Sequence, residues 1–464
     1  MMVTAFDFFC GAGGSSTGMV AAGLEVRGAA NHWALAIETH NTNHPGTDHY
    51  LDDIQATHPS RYPGTDIAWF SPECTNHSVA KGRQRKNIAQ LDLWGEHKID
   101  PAEERSRATM REVVEFSEFH QYEVVIVENV VDIHHWQYYT DWLTAMHHLG
   151  YTSRTLYLNA MFFDVPQSRD RWYTVFWKRG NRAPVLDFHP DALCVEHGLV
   201  ASVQTWKHPE KQWGGYGKKG QYVYRCPHCG REVQPQTKPA ASVINWSLPA
   251  PRIGDRQRPL KPKTIERVRV GLRKFARQPT PVVLAYSQAS DAHKVSATIS
   301  PLPTQTTRQT LALIEPFIMS YYTRDNAQSS TAEPLPVITT EKRHALVVPP
   351  LLIQTHAPAN HHALIMSYYG GNSVYKSVFE PLPTQRTLQH QALIEPDADE
   401  VVENCGFRML EPRELKLGMS FPDSYIILGS KRDQVRQVGN AVACNVAQWI
   451  VARCIESLEG TPNA

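Results

Sequence analysis

A cysteine, a glutamate and a pair of arginines are spaced along the chain so that together they could carry nucleophilic and acid–base chemistry. Cys74 lies in Ser71-Pro72-Glu73-Cys74-Thr75-Asn76-His77-Ser78, directly after an apolar run that ends at Phe70. A thiol that opens a loop at a strand end is placed where a nucleophile is exposed, although a lone cysteine is more often a buried, inert side chain. Glu128, in Val127-Glu128-Asn129-Val130, ends another apolar run. Arg169 and Arg171, in Gln167-Ser168-Arg169-Asp170-Arg171-Trp172-Tyr173, are two residues apart and so share one side of an extended segment. Singly, such charges are often surface ion pairs. Several of them at successive strand ends argue for a site.

A second set of residues suits a ligand. Asp7-Phe8-Phe9-Cys10-Gly11-Ala12-Gly13-Gly14 reads as a strand running into glycines and then a helix, where unpaired N–H groups are available and a ligand can approach the backbone. Asn31-His32-Trp33 and Asp52-Asp53-Ile54 follow at the ends of the next segments. An aromatic face and a carboxylate in that order are what an adenosine group needs, stacking for the purine and an acceptor for its amine. Alone, Trp33 reads as core and Asp53 as a helix cap.

Eight cysteines show no disulfide-framework spacing. Cys226-Pro227-His228-Cys229-Gly230 is half of a zinc knuckle, and Cys194 with His197 has the spacing to complete four ligands for a structural zinc. Free cysteines in a reducing compartment are the alternative.

With these residues in place, the chain resembles the DNA (cytosine-5)-methyltransferase family. The first glycine motif is similar to its cofactor loop, Ser71–Cys74 to its nucleophile motif, Val127–Val130 to its glutamate motif, Gln167–Tyr173 to its paired-arginine motif, and Arg408-Met409-Leu410-Glu411-Pro412-Arg413-Glu414 with Gly439-Asn440-Ala441-Val442 to its C-terminal pair. The resemblance covers 1–178 and 407–458, in the family's order. It implies that Cys74 adds to C6 of a flipped-out cytosine, that Glu128 holds a proton at N3, and that Arg169 and Arg171 supply the positive field the thiolate needs. It further implies that S-adenosyl-L-methionine is held by Phe9, Gly11, Ala12, Gly14, His32, Trp33, Asp53, Ile54, Met110, Asn440 and Ala441. Ser78 to Arg105 would be a loop closing over the base, its Lys81-Gly82-Arg83-Gln84-Arg85-Lys86 run gripping phosphate.

Three positions depart from the family's pattern. Glu73 stands where proline usually precedes the nucleophile, His32 where an acid usually grips the ribose, and Asp164 where a glycine often precedes the paired arginines. They keep two alternatives in view. One is a non-catalytic DNA-binding relative; the other is a pyrimidine-modifying enzyme that acts on RNA or uses a modified cofactor.

The sequence sets these residues on strands that alternate with helices. Val3–Phe9, Glu25–Ala30, Asp66–Phe70, Glu123–Val127 and Trp172–Trp177 read as strands, Ala102–Glu118 as a helix and Val438–Leu458 as another. The pattern predicts a doubly wound, mostly parallel α/β sheet, Rossmann-like, with ligands at the carboxyl ends of the strands. A large β-rich, turn-rich insert follows. In it Pro-Leu-Pro repeats at 301, 334 and 381, and Met319-Ser320-Tyr321-Tyr322 returns as Met366-Ser367-Tyr368-Tyr369. Three parts are expected: a catalytic domain at 1–178, a target-recognition domain at 179–406 (basic over 179–277, repeats over 281–396), and a return to the catalytic domain at 407–464.

Length and charge agree with that division. At 464 residues the chain exceeds a single core. Its net charge of +1 conceals unlike parts, because residues 1–176 hold 13 basic and 22 acidic groups while 177–277 hold 20 and 7. The basic stretch, with Trp206, Trp213, Tyr216, Tyr222 and Tyr224 interleaved, is the expected contact to double-stranded DNA. No run approaches the length of a membrane span, and no secretory signal opens the chain. A cytoplasmic, monomeric protein is expected, serving restriction-modification or another use of the mark.

Overall fold

Short runs of aliphatic and aromatic residues form the central sheet, because side chains buried on both faces need no polar alternation. A computed structural model describes residues 2–72, 101–260 except 219, 239, 244, 246, 249 and 250, residues 262 and 265, and 411–460; for 101–108, 240, 241 and the strands between 282 and 408 it describes backbone alone. Two units result: 1–165 with 169–237 and 419–464, and 166–168 with 238–418.

The sheet of the first unit contains β1 (Thr4–Phe8), β2 (Glu25–Asn31), β3 (Asp48–Leu51), β4 (Ile67–Phe70), β5 (Val124–Asn129), β6 (Tyr151–Asn159) and β8 (Asp170–Lys178). The pair Gln167–Ser168, β7, belongs to the second unit. The strand order is β3-β2-β1-β4-β5-β8-β6, parallel except for β8, which runs antiparallel to both neighbours. Helices α1 (Gly14–Ala21), α2 (Ala34–Asn43), α3 (Pro101–His120) and α4 (Tyr139–His148) alternate with the strands. This is the doubly wound, Rossmann-like architecture expected from the sequence. Its strand order reverses between β1 and β4, where such sheets bind ligands. Phe8 stacks on Phe70 at 4.6 Å between ring centres and meets the edge of Phe116 at 4.9 Å, which fixes the two strand ends side by side.

The long helix expected over Val438–Leu458 is two helices, Lys431–Asn440 and Cys444–Glu459, parted at Ala441–Ala443. The break has a cause. The guanidinium of Arg169 donates from Nη2 to the carbonyls of Gly439 and Ala441, each at 3.2 Å, and so takes acceptors a continuous helix would use itself. Cys444–Glu459 packs on α1, and Gly18 permits the approach: a Cβ there would lie 2.5 Å from the Cys444 carbonyl. The stretch 431–459 is apolar enough to pass for a membrane span by composition, but much of it is buried inside this unit as core.

The first unit also carries a lobe of short strands, β9 (Asp191–Cys194), β10 (Gly198–Ala201), β11 (Val203–Trp206), β12 (Tyr222–Arg225) and β13 (Glu232–Val233). Tyr222 and Tyr224, expected to contact nucleic acid, are instead core residues here, 0% and 1% exposed. Two residues apart on one strand, they share its inner face with Phe162 and Tyr216. Trp213 is likewise committed, stacked on His134 at 4.6 Å.

The second unit is β-rich as expected. In its seven-stranded sheet Met319–Tyr321 of the first Met-Ser-Tyr-Tyr copy and all of the second fall on strands Phe317–Tyr321 and Leu364–Tyr369, and both strands pair antiparallel with Asn372–Ser377. Leu382–Pro383, from the third Pro-Leu-Pro repeat, pairs parallel with β7. The repeats at 301 and 334 lie outside the described residues.

Candidate active site

The registers β2–β1–β4–β5 align the strand ends: Phe8 pairs with Ala30 and with Phe70, and Phe70 with Val127. Residues that leave these ends therefore emerge at one level over three strand spacings, about 14 Å. Phe9 leaves β1, His32 and Trp33 leave β2, Ser71 and Pro72 leave β4, and Glu128 with Asn129 closes β5.

The glycine turn is built for a sharp exit. Phe9, Gly11 and Gly13 have φ of 60°, 52° and 84°, and the Gly13 amide donates to the Cys10 carbonyl at 2.9 Å. Gly14 has a different reason to be glycine. A Cβ there would lie 2.1 Å from the Val442 carbonyl, so the C-terminal motif containing Asn440 and Ala441 seats directly on the start of α1. Tyr425 adds a hydrogen bond from its hydroxyl to the Ala12 carbonyl, 2.6 Å.

Beneath the turn lies a buried polar network that no motif in the sequence announces. Asp7, fully buried, accepts from Ser15 Oγ at 2.6 Å and Ser16 Oγ at 2.5 Å. Burial pushes its carboxyl up to about 6 against the bonds from the two serines. Ser16 continues to His40 Nε2 at 2.8 Å, and His40 Nδ1 to His49 Nε2 at 2.8 Å. Burial together with the neighbouring His44 and His49 holds His40 well below the usual histidine range. The one signal that could have found it was the recurrence of histidine at 40, 44 and 49.

The adenosine candidates take distinct positions. Trp33 caps α2 and lies under the Arg436 guanidinium, 4.4 Å from its ring centre. His32 is exposed. Asp53 caps a short turn, accepting from the Gln55 amide at 3.2 Å, while Ile54 is buried. Met110 is fully buried on α3; its carbonyl accepts from Trp142 Nε1 at 2.8 Å and its sulfur lies 3.9 Å from Asn129 Nδ2.

The catalytic candidates converge on β5 and β8. Arg171 Nε lies 3.0 Å from Glu128 Oε1, with the two side chains 13% and 12% exposed. Glu128 nevertheless sits above the usual carboxylate range, because burial outweighs the nearby charges of Arg171 and Arg169. Arg169, 4% exposed, is the residue that ties β8 to the Gly439–Ala441 break. Asn129 Nδ2 donates to the carbonyl of Pro72, two residues before Cys74, at 3.4 Å. Residues 73–100, Glu73 and Cys74 among them, lie outside the described residues, and the end of the loop expected over Ser78 to Arg105 is instead helical, 101–105 forming the start of α3. Asp164, one of the departures, has φ of 57°, the left-handed region where a glycine is the ordinary choice.

The four metal-ligand candidates are also brought together. Cys194, His197, Cys226 and Cys229 present ligand atoms within 4.8 Å of one another.

Residues 3–213 and 262–456 match the C-5 cytosine-specific DNA methylase family. The chain is 27% identical over 176 residues to the Type II methyltransferase M.AgeI of Thalassovita gelatinovora, covering 36% of this chain and 37% of that one. With M.HgiDI of Herpetosiphon aurantiacus it shares 22% over 262 residues, covering 55% and 72%. The match thus spans little more than a third of M.AgeI. Among solved structures, a DNMT2 variant of Spodoptera frugiperda and S. pombe Dnmt2 align over 99% of this chain and all of theirs, at 12% and 13% identity and a TM-score of 0.47 each. Ordered motifs, sheet topology and a family match over most of the sequence agree: the chain belongs to the C-5 cytosine-specific DNA methylase family.

Proposed function

We propose that this protein methylates C5 of a cytosine flipped out of double-stranded DNA, using S-adenosyl-L-methionine. The observation that carries the reading is the largely covered Arg171–Glu128 pair at the end of β5, next to Asn129, which holds the Pro72 carbonyl two residues before Cys74. Cys74, as thiolate, adds to C6 of the ring; Glu128 holds a proton at N3, so the electrons displaced from the C5–C6 bond are accommodated and C5 becomes nucleophilic. The cofactor supplies an electrophilic methyl group. Loss of the C5 proton then expels the Cys74 thiolate and restores the aromatic ring. A carboxyl held above its usual range suits Glu128 to this role, since the group must hold a proton near neutral pH.

The glycine turn after Phe8, exposed His32, Trp33 and Asp53 suit the cofactor's amino acid, ribose and adenine parts, with Asn440 and Ala441 closing the turn. The base must leave the duplex to reach these residues. Leu382–Pro383 pairs with Gln167–Ser168, just before Arg169 in the chain, so the third Pro-Leu-Pro repeat is our choice for the segment that addresses the target strand. Similarity to two Type II methyltransferases supports a role in restriction-modification.

The test is transfer of tritium from labelled S-adenosylmethionine to duplex DNA or to tRNA, comparing Cys74→Ser. Label on DNA that disappears in the variant supports the proposal. Label on tRNA alone moves the substrate to RNA, and label that survives in Cys74→Ser removes the covalent mechanism.

A further inference from the structure

The lobe of short strands holds a cluster that the proposed reaction does not use. Cys194 ends β9 and His197 lies in the turn before β10, while Cys226 and Cys229 lie in the turn between β12 and β13. Two hairpin tips thus face each other. Cys194 Sγ lies 3.6 Å from His197 Nδ1 and 3.7 Å from Cys229 Sγ, and Cys226 Sγ lies 3.7 Å from His197 Nδ1. A tetrahedral ion with Zn–S near 2.3 Å and Zn–N near 2.0 Å requires edges of about 3.8 Å between sulfurs and about 3.6 Å between sulfur and nitrogen. All three separations match. They exclude a disulfide between Cys194 and Cys229, which needs roughly 2.0 Å.

The surrounding backbone is shaped for a closed site. The Gly230 amide donates to the Cys226 carbonyl at 2.9 Å and the Cys226 amide to the Arg231 carbonyl at 2.9 Å, with Gly230 at φ 70°. Arg231 and Glu196, one from each tip, pair at 2.6 Å. Cys194 and Cys226 are 2% and 1% exposed although they stand at hairpin ends. The lobe's strands are only two to four residues long, too short to build a core of their own.

We propose that Cys194, His197, Cys226 and Cys229 bind a structural zinc ion that staples the two hairpins. Three thiolates and one imidazole leave no open position, the mark of a structural rather than a catalytic zinc, and soft sulfur ligands select against magnesium or calcium. The staple reaches the β8 segment through the lobe. β12 carries Tyr222 and Tyr224 against Tyr216, whose amide donates at 3.0 Å to Asp170, the residue between Arg169 and Arg171.

The experiment uses the full chain purified without chelator. Zinc freed by a mercurial thiol reagent should amount to about one ion per chain, and Cys229→Ser should lose at least about nine-tenths of it. Replacement by Co2+ should give the intense visible bands and sulfur charge-transfer absorption of a tetrahedral thiolate site. Wild-type protein without bound zinc, whose Co2+ spectrum is that of the weak octahedral aqua ion, overturns the proposal. The Co2+ arm decides on wild-type protein alone, should the variant fail to fold. Because the readout is metal and not methyl transfer, failure here leaves the proposed reaction untouched.

Discussion

Arg171 presents the Nε side of its guanidinium to Glu128 across the β5–β8 pair, 3.0 Å from Oε1, so one strand's cation orients the neighbouring strand's acid. Removing the partner of a covered charge costs more than removing both. Arg171→Ala should therefore lower kcat by about 10²-fold or more, with Arg171→Lys intermediate, since lysine cannot reproduce the guanidinium geometry. The arginine's charge opposes the upward shift of Glu128, so its loss raises that pKa further. The alkaline limb of the pH–rate profile should then move to higher pH, a change that general unfolding would not produce.

Gly14 and Gly46 make a matched pair. Neither has a positive φ, yet a Cβ at Gly14 would lie 2.1 Å from the Val442 carbonyl while one at Gly46 meets nothing within 4 Å. Gly14→Ala should destabilise the protein by about 1–3 kcal/mol and raise KM for the cofactor, and Gly46→Ala should be near neutral. Urea denaturation of the two variants checks the difference.

Asp7 makes stability depend on pH. Its folded pKa of about 6 lies above the unfolded value, so its contribution is full below pH of about 4 and is lost as pH rises through about 6. His40 and His44, both lowered, act in the opposite sense: their contribution is present above about 6.5 and is lost as pH falls. The difference between wild type and Asp7→Asn isolates the carboxyl. It should shift against wild type by on the order of 1–2 kcal/mol between pH of about 5 and 7.5, read from urea midpoints.

The basic stretch divides between the two units. Of its 20 basic residues, 11 lie in 238–277 with only two acids, whereas those in 177–237 are largely committed. Lys178 pairs with Glu123, Arg231 with Glu196, and Lys207 donates to the carbonyls of Gly217, Lys218 and Gly220. Neutralising bases in 238–277 should flatten the salt dependence of DNA binding by about 0.9 in slope for each phosphate that no longer meets a cation. The same changes at Lys178, Lys207 or Arg231 should cost stability and leave the slope unchanged.

Strand ends carrying Phe9, Ser71 and Glu128 were legible because each follows a dense apolar run, and the Trp33 end because Glu25, Val26 and Arg27 alternate before Gly28-Ala29-Ala30. β3 and β6 were not, since Asp48–Leu51 is short and polar and Tyr151–Asn159 carries Thr152, Ser153, Arg154 and Thr155 in succession after its first residue. The four-residue apolar steps from Val442 to Cys454 concealed the break at 441–443, which depends on Arg169, some 270 residues away in sequence. Tyr222 and Tyr224 suggested a nucleic-acid face by composition. Their period of two was the better guide, because it placed both on one inward side.

The meeting of Gly14 with Val442 also sets a schedule for synthesis. At translation rates of about 5–20 residues per second, the first turn of α1 would leave the ribosome roughly 20–90 s before the segment that covers it. Throughout that interval the face of α1 that later packs against Cys444–Glu459 stands open to chaperones and to other nascent chains. A message truncated before Met419 would leave that face open permanently, so premature termination should yield aggregation-prone fragments rather than a slower enzyme.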